Sequence, residues 1–197
     1  MQYQEQTFEL PELSGISSKQ LEVHLKLYQG YVKNLNTLNE TLAFLMQDSA
    51  KNAYALAEVK RRLAFEFDGM RMHEYYFSQW EVGAKELGAN TALAASIVRQ
   101  WGSFEKFVLE FKAVGMMRGI GWTVLYFDAK AGEFHIAWVG DHELGQLSGL
   151  PIILAMDMWE HAYMVDYVPA DKKLYLDAFF QNLNWESISA RFTDSCA

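Results

Sequence analysis

The sequence predicts an α+β chain: a long antiparallel helical hairpin, then a C-terminal domain with a small three-stranded antiparallel sheet and further helices. Three observations lead there. Apolar residues recur at helical spacing through most of residues 18–80. The period falls towards two beyond Gly119, and helical spacing returns before the C-terminus.

Taken in order, Pro11 and Gly15 punctuate an extended N-terminal segment. Ser17-Ser18-Lys19-Gln20 reads as a helix start, a serine cap ahead of a periodic stretch. Leu21, Leu25, Tyr28 and Val32 keep the repeat, and Leu35, Leu38, Leu42 and Leu45 continue it. Gly30 interrupts the pattern at a cost of about 1 kcal/mol relative to Ala. A second helix is expected from Lys51 to Trp80, and a short polar turn between two long helices makes a hairpin. Gly83 and Gly88 mark the expected boundary between residues 1–85 and 86–197. Shorter helices follow at Thr91–Gln100 and Ser103–Val114. Strands are expected at Gly121–Asp128, Glu133–Val139 and Pro151–Met156, the first two joined by Ala129-Lys130-Ala131-Gly132. Helices are expected again at Met158–Tyr167, Lys172–Leu183 and Trp185–Phe192.

Composition limits the function. The 197 residues allow one large or two small domains, and 51% hydrophobic with 21% charged residues suits a packed globular protein. A net charge of −8 leaves no basic excess to neutralise phosphates, so nucleic acid is not an expected partner. No apolar run approaches the roughly 20 residues that span a bilayer. MQYQEQTFEL has no basic stretch ahead of an apolar one, and Cys196 has no second cysteine to pair with. A cytoplasmic protein is the expectation.

Chemistry concentrates in the histidines His24, His73, His135, His142 and His161. His24 and His73 sit inside the two long helices among apolar and aromatic neighbours. Each reads either as a hydrogen-bonded core residue or as a ligand facing its counterpart across the hairpin. Asp157-Met158-Trp159-Glu160-His161 places a carboxylate and an imidazole four residues apart, which on a helix puts them on one face. The alternative is a capping Asp beside a surface His. Three imidazoles and one carboxylate would suit iron, manganese or zinc.

DMWEHAYMVDY (157–167) resembles the D-x-W-E-H-A-Y signature of the iron/manganese superoxide dismutases. LEVHLKLYQGYVKNLNTLNE (21–40) is similar to that family's first long helix, and MHEYYF (72–77) to its second-ligand segment. SFEKFVLEF (103–111), GIGWTVL (119–125) and NWES (184–187) follow in the family's order. The resemblance implies one iron or manganese ion per subunit, held by His24, His73, Asp157 and His161, and an antioxidant enzyme that dismutes superoxide. It implies a substrate-gating Tyr31, walls of Trp122 and Trp159, and a homodimer or tetramer whose contact involves Glu160 and Tyr163.

Departures from the family are informative. His24 and Tyr31 are seven apart, one fewer than usual, so either a helical bulge has been lost or Tyr28 has taken over part of the gating. The family's histidine one turn after the first ligand is replaced in the neighbourhood of Leu27 and Tyr28. Gly69 stands where the iron type carries Gln, and the manganese type's sheet glutamine falls near Asp141-His142-Glu143. His142 is therefore expected to replace that glutamine and hydrogen-bond to bound solvent, the alternative being a surface loop histidine. His135 is read as structural. Two rival functions are a metal-binding but non-catalytic member of the fold and a non-haem iron oxygenase.

Overall fold

The computed structural model describes residues 2–196. Helix α1 spans Ser18–Leu45 and α2 spans Ala53–Ser78, joined by a 3₁₀ turn at Met46–Asp48. Ser17 caps α1 as expected, its side chain accepting from Gln20 N. Gly30 does not break the helix, because the residues on either side keep the α-helical ladder. The buried stripe of α1 is Gln20, His24, Tyr28, Val32, Leu35 and Leu38. Two polar residues head a stripe that otherwise seals the core. Such groups persist in a core only when they find partners there.

Two shorter helices, α3 (Ala92–Trp101) and α4 (Phe104–Gly115), lead into the sheet. Strands β1 (Gly121–Asp128), β2 (Glu133–Gly140) and β3 (Ile152–Asp157) pair antiparallel in the order β2-β1-β3. The central strand β1 is buried from Gly121 through Phe127, which explains its unbroken apolar run. Gly121 must be glycine: its φ is +150°, and a Cβ there would lie 2.1 Å from Val139 O. The next residue, Trp122, is thereby laid directly opposite Asp157 on β3. Helices α5 (Lys172–Gln181) and α6 (Trp185–Ser195) close the chain.

One element departs from expectation. Residues 158–167 are not an α-helix: only Glu160–Ala162 form a 3₁₀ turn, with bends and turns around it. Trp159 has extended backbone (ψ 149°), and its N–H donates to Asp157 Oδ1 at 2.8 Å. That local side-chain turn competes with the helical ladder at its first step. His135 also differs from the expectation of a structural role, since it is exposed on β2 and takes no part in the core.

Candidate metal centre

Four elements converge on one point. His24 comes from α1, His73 from α2, Asp157 from the end of β3 and His161 from the turn that follows; their ligand atoms all lie within 4.8 Å of one another. Asp157 Oδ2 stands between the imidazoles, 3.0 Å from His24 Nε2, 3.1 Å from His161 Nε2 and 3.6 Å from His73 Nε2. His24, His73 and Asp157 are buried, and His161 is partly so.

Each donor is aimed by a second contact. His73 Nδ1–H donates to Gly69 O at 2.5 Å, which points the lone pair of Nε2 into the cluster. That Nε2 is buried and has no hydrogen-bond partner. Asp157 spends Oδ1 on Trp159 N and leaves Oδ2 facing the histidines. Tyr175 Oη–H donates to Asp157 O at 2.7 Å and lies 3.0 Å from Tyr76 Oη. The loop bearing His161 is tied to α1 by Gln20, whose Nε2 donates to His161 O (2.6 Å) while its Oε1 accepts from Val165 N (3.0 Å).

The electrostatics suit a cation. Burial opposes the charge on Asp157, but His161 and His24 outweigh it and hold the carboxyl well below its usual range. Burial lowers both His24 and His73, in each case partly offset by Asp157. A carboxylate among three imidazoles is a donor set that suits a metal, and the unpartnered His73 Nε2 is a buried lone pair that a cation would satisfy. The residues present fit iron or manganese.

Aromatic rings wall this cluster. Trp122 packs edge-on to His73 with centroids 5.1 Å apart, and Trp159 stacks on His161 at 5.6 Å and on His142 at 5.0 Å. His142 is fully buried rather than a surface loop residue. It follows Asp141, whose φ of +49° reverses the chain after β2 and turns the next side chain inwards. Trp122 Nε1–H can only donate, so His142 Nδ1 accepts it at 3.0 Å. The hydrogen of neutral His142 is then on Nε2 and donates to Tyr31 Oη at 2.7 Å. Burial lowers the His142 pKa to about 4, which keeps the ring neutral at pH 7.

Of the two tyrosines weighed for the gate, Tyr31 meets His142. Tyr28 is occupied elsewhere: its hydroxyl accepts from Gln6 N (2.8 Å) and donates to Glu74 Oε1 (3.2 Å). Burial pushes the Tyr28 hydroxyl up to about 12. Seven positions apart on an unbroken α-helix, His24 and Tyr31 share one face. Tyr31 lies flat over Gly69, where a Cβ would come within 2.6 Å of its ring. Glu160 is exposed, and Tyr163 is buried against Tyr175 with centroids 5.2 Å apart.

Sequence reasoning missed Gln20, Gln79, Tyr175 and Phe65. Gln79 Nε2 donates to Ala155 O (2.5 Å) and its Oε1 accepts from Ala155 N (3.3 Å), clamping β3 two residues before Asp157. Phe65 stands edge-on to His142 at 4.7 Å. A polar residue on an apolar stripe was the available signal for Gln20; nothing local marks the others.

Residues 89–191 match the family model described as iron/manganese superoxide dismutases, C-terminal domain. The chain is 36% identical to a superoxide dismutase [Fe] from Cupriavidus metallidurans, over 92% of this chain and 90% of the relative. A superoxide dismutase [Fe] from Aquifex pyrophilus is 34% identical over 91% of this chain and 85% of its own length. A superoxide dismutase [Mn] from Halobacterium salinarum is 35% identical, over 85% and 81% respectively. The family-model match together with relatives more than 30% identical over most of the chain shows that this protein belongs to the iron/manganese superoxide dismutase family.

Proposed function

We propose that this protein is an oxidoreductase that dismutes superoxide to oxygen and hydrogen peroxide with one iron or manganese ion held by His24, His73, Asp157 and His161. The observation that carries this reading is the convergence of those four donors, with His73 Nε2 buried and unpartnered among them. When bound, the metal supplies a one-electron couple that accepts an electron from one superoxide and returns it to a second.

The chain's own residues supply the rest. Trp122 and Trp159 narrow the approach and exclude bulk water. The second half-reaction consumes two protons, so a proton donor has to stand at the approach. Burial raises the Tyr31 hydroxyl far above neutral pH, so Tyr31 holds its proton. Because His142 donates to Tyr31 Oη, the phenolic hydrogen is left to point at the incoming anion. Both nitrogens of His142 have protein partners, so we assign its influence on the centre to this contact. The test is to measure metal content and superoxide decay after loading with iron and manganese separately; no acceleration with either would sink the proposal. His142→Gln should change the ratio of the two activities, and an unchanged ratio removes His142 from the centre.

The assembly is proposed as a homodimer in which Glu160 hydrogen-bonds to the partner subunit's His161, with Tyr163 at the same contact. Exposure of Glu160 and partial exposure of His161 support this. Division into units 1–85 and 86–197 is likewise proposed, supported by the start of the family match at residue 89. No helix among the described residues is long and apolar enough to cross a membrane. A cytoplasmic antioxidant role is part of the same proposal.

A further inference from the structure

We propose that Arg62, on α2, is the cation that draws the anionic substrate to the mouth of the site. The inference rests on the dismutase reading above and adds a residue to it. Superoxide carries a negative charge, whereas the chain has a formal net charge of −8. A uniformly acidic surface would slow its arrival, so a local positive charge at the entrance has value out of proportion to its size.

Arg62 is placed for that task. Its guanidinium carbon lies 3.6 Å above the centroid of Phe65. Phe65 is in turn 4.7 Å from the His142 ring, 6.0 Å from Tyr31 and 6.5 Å from Trp159. These rings form a continuous rim from solvent to the metal ligands, with Arg62 at its outer end. The Arg62 side chain is 55% exposed, so an ion arriving from water meets it before the rings. Stacking on Phe65 restricts the guanidinium to one side of the rim.

Arg62 is ion-paired, and the pair presents its positive end to solvent: the arginine is the exposed partner and the glutamate the buried one. Arg62 Nε–H donates to Glu66 Oε1 at 2.8 Å, and that is its only hydrogen bond among the described residues. Glu66 is buried, with its other oxygen out of contact with solvent. The carboxylate is thus the buried half of the pair, and neither Nη group of Arg62 has a hydrogen-bond partner among the described residues. Glu58, one helical turn before Arg62 and lining the same hollow, is paired with Arg61. Arg62 is also the cation whose field opposes those of Asp157, Glu66 and Asp141 at the Tyr31 hydroxyl.

Steady-state dismutation by the metal-loaded protein, measured against ionic strength, tests the assignment. Arg62→Gln should lower kcat/KM roughly three- to tenfold at low salt, leave kcat little changed, and converge with the wild type as salt screens the charge. Arg62→Lys should keep most of the rate, which separates charge from packing on Phe65. Equal kcat/KM and equal salt slopes for wild type and Arg62→Gln would overturn the proposal. Azide, a small monoanion, provides a readout independent of turnover. Its spectroscopically measured Kd for the metal-loaded protein should rise by a similar factor in Arg62→Gln at low salt, and equal Kd values would also overturn the assignment. A wild type that shows the azide effect but no dismutation would overturn the reaction and leave Arg62 in place. If Arg62→Gln does not fold, the wild-type salt slope and Arg62→Lys decide: a rate indifferent to salt overturns the role.

Discussion

Two adjacent residues on α2, Asp68 and Gly69, carry opposite expectations when changed. Gly69 lacks a side chain because Tyr31 occupies that space; an added methyl would lie 2.6–2.7 Å from ring carbons. Gly69→Ala should therefore push Tyr31 off its 2.7 Å bond to His142 and cost about 1–3 kcal/mol by overpacking. Gly30 on α1 is the control, since nothing lies within 4 Å of the Cβ it would gain. Gly30→Ala should raise the Tm by the equivalent of about 1 kcal/mol, and only Gly69→Ala should impair turnover. A Gly69→Ala protein of normal Tm and activity would contradict this packing. Asp68 is half-buried, and burial with the charge of Glu143 raises its carboxyl to about 6. The folded pKa lies above the unfolded value, so stability falls as pH rises from about 4 through 6 and stays lowered above that. After allowance for its partial exposure, the penalty is about 1 kcal/mol. Asp68→Asn should then raise the Tm by about 2–4 °C at pH 8 and by nothing near pH 4. A gain that is the same at both pH values would show that ionisation is not its cause.

Among the elements, β3 and the turn after it are held by amide side chains rather than by sheet pairing alone. Gln79 satisfies both backbone groups of Ala155 from the end of α2. Gln79→Leu would bury an N–H and a C=O without partners, at about 1–3 kcal/mol for each group. The resulting slack reaches Asp157 two residues on, so metal affinity should fall by about 10–100-fold together with the Tm. Metal titration of the folded variant checks this, and an unchanged Kd would mean that β3 needs no clamp. Contacts of this kind explain which elements were legible in the sequence. Helices α1 and α2 announced themselves because their apolar stripes repeat locally, and β1 because its run is apolar throughout. The turn at 158–167 was not legible as such: its residues suit a helix, but the Asp157–Trp159 turn and the bonds from Gln20 come from side-chain geometry and a distant element. His24 and His73 were visible as polar intrusions on apolar faces, and the motif around Asp157 and His161 gave them a purpose. Gln79, Phe65 and the gating choice between Tyr28 and Tyr31 depended on distances that no spacing encodes.

For the molecule as a whole, the proposed ligands tie α1, α2, β3 and the following turn at a single buried point. Without a cation, His73 Nε2 has no partner and the site rests on Asp157 holding the other histidines. A metal that binds the folded chain and not the unfolded one stabilises by mass action, about 4 kcal/mol at a thousandfold excess over Kd. In a chain of 197 residues that corresponds to roughly 8–16 °C in Tm. Chelation should therefore lower the Tm by about that amount, and reloading with iron or manganese should restore it. His73→Gln is the sharper probe, because it keeps a polar side chain in the same space while removing the imidazole lone pair. Its Tm should respond only weakly to added metal, since one donor of the four is gone. If the wild-type Tm were the same before and after chelation with loss of metal verified, the donors would be holding the fold together by themselves. The orphaned nitrogen would then be a tolerated defect of the core, not the place reserved for a cation.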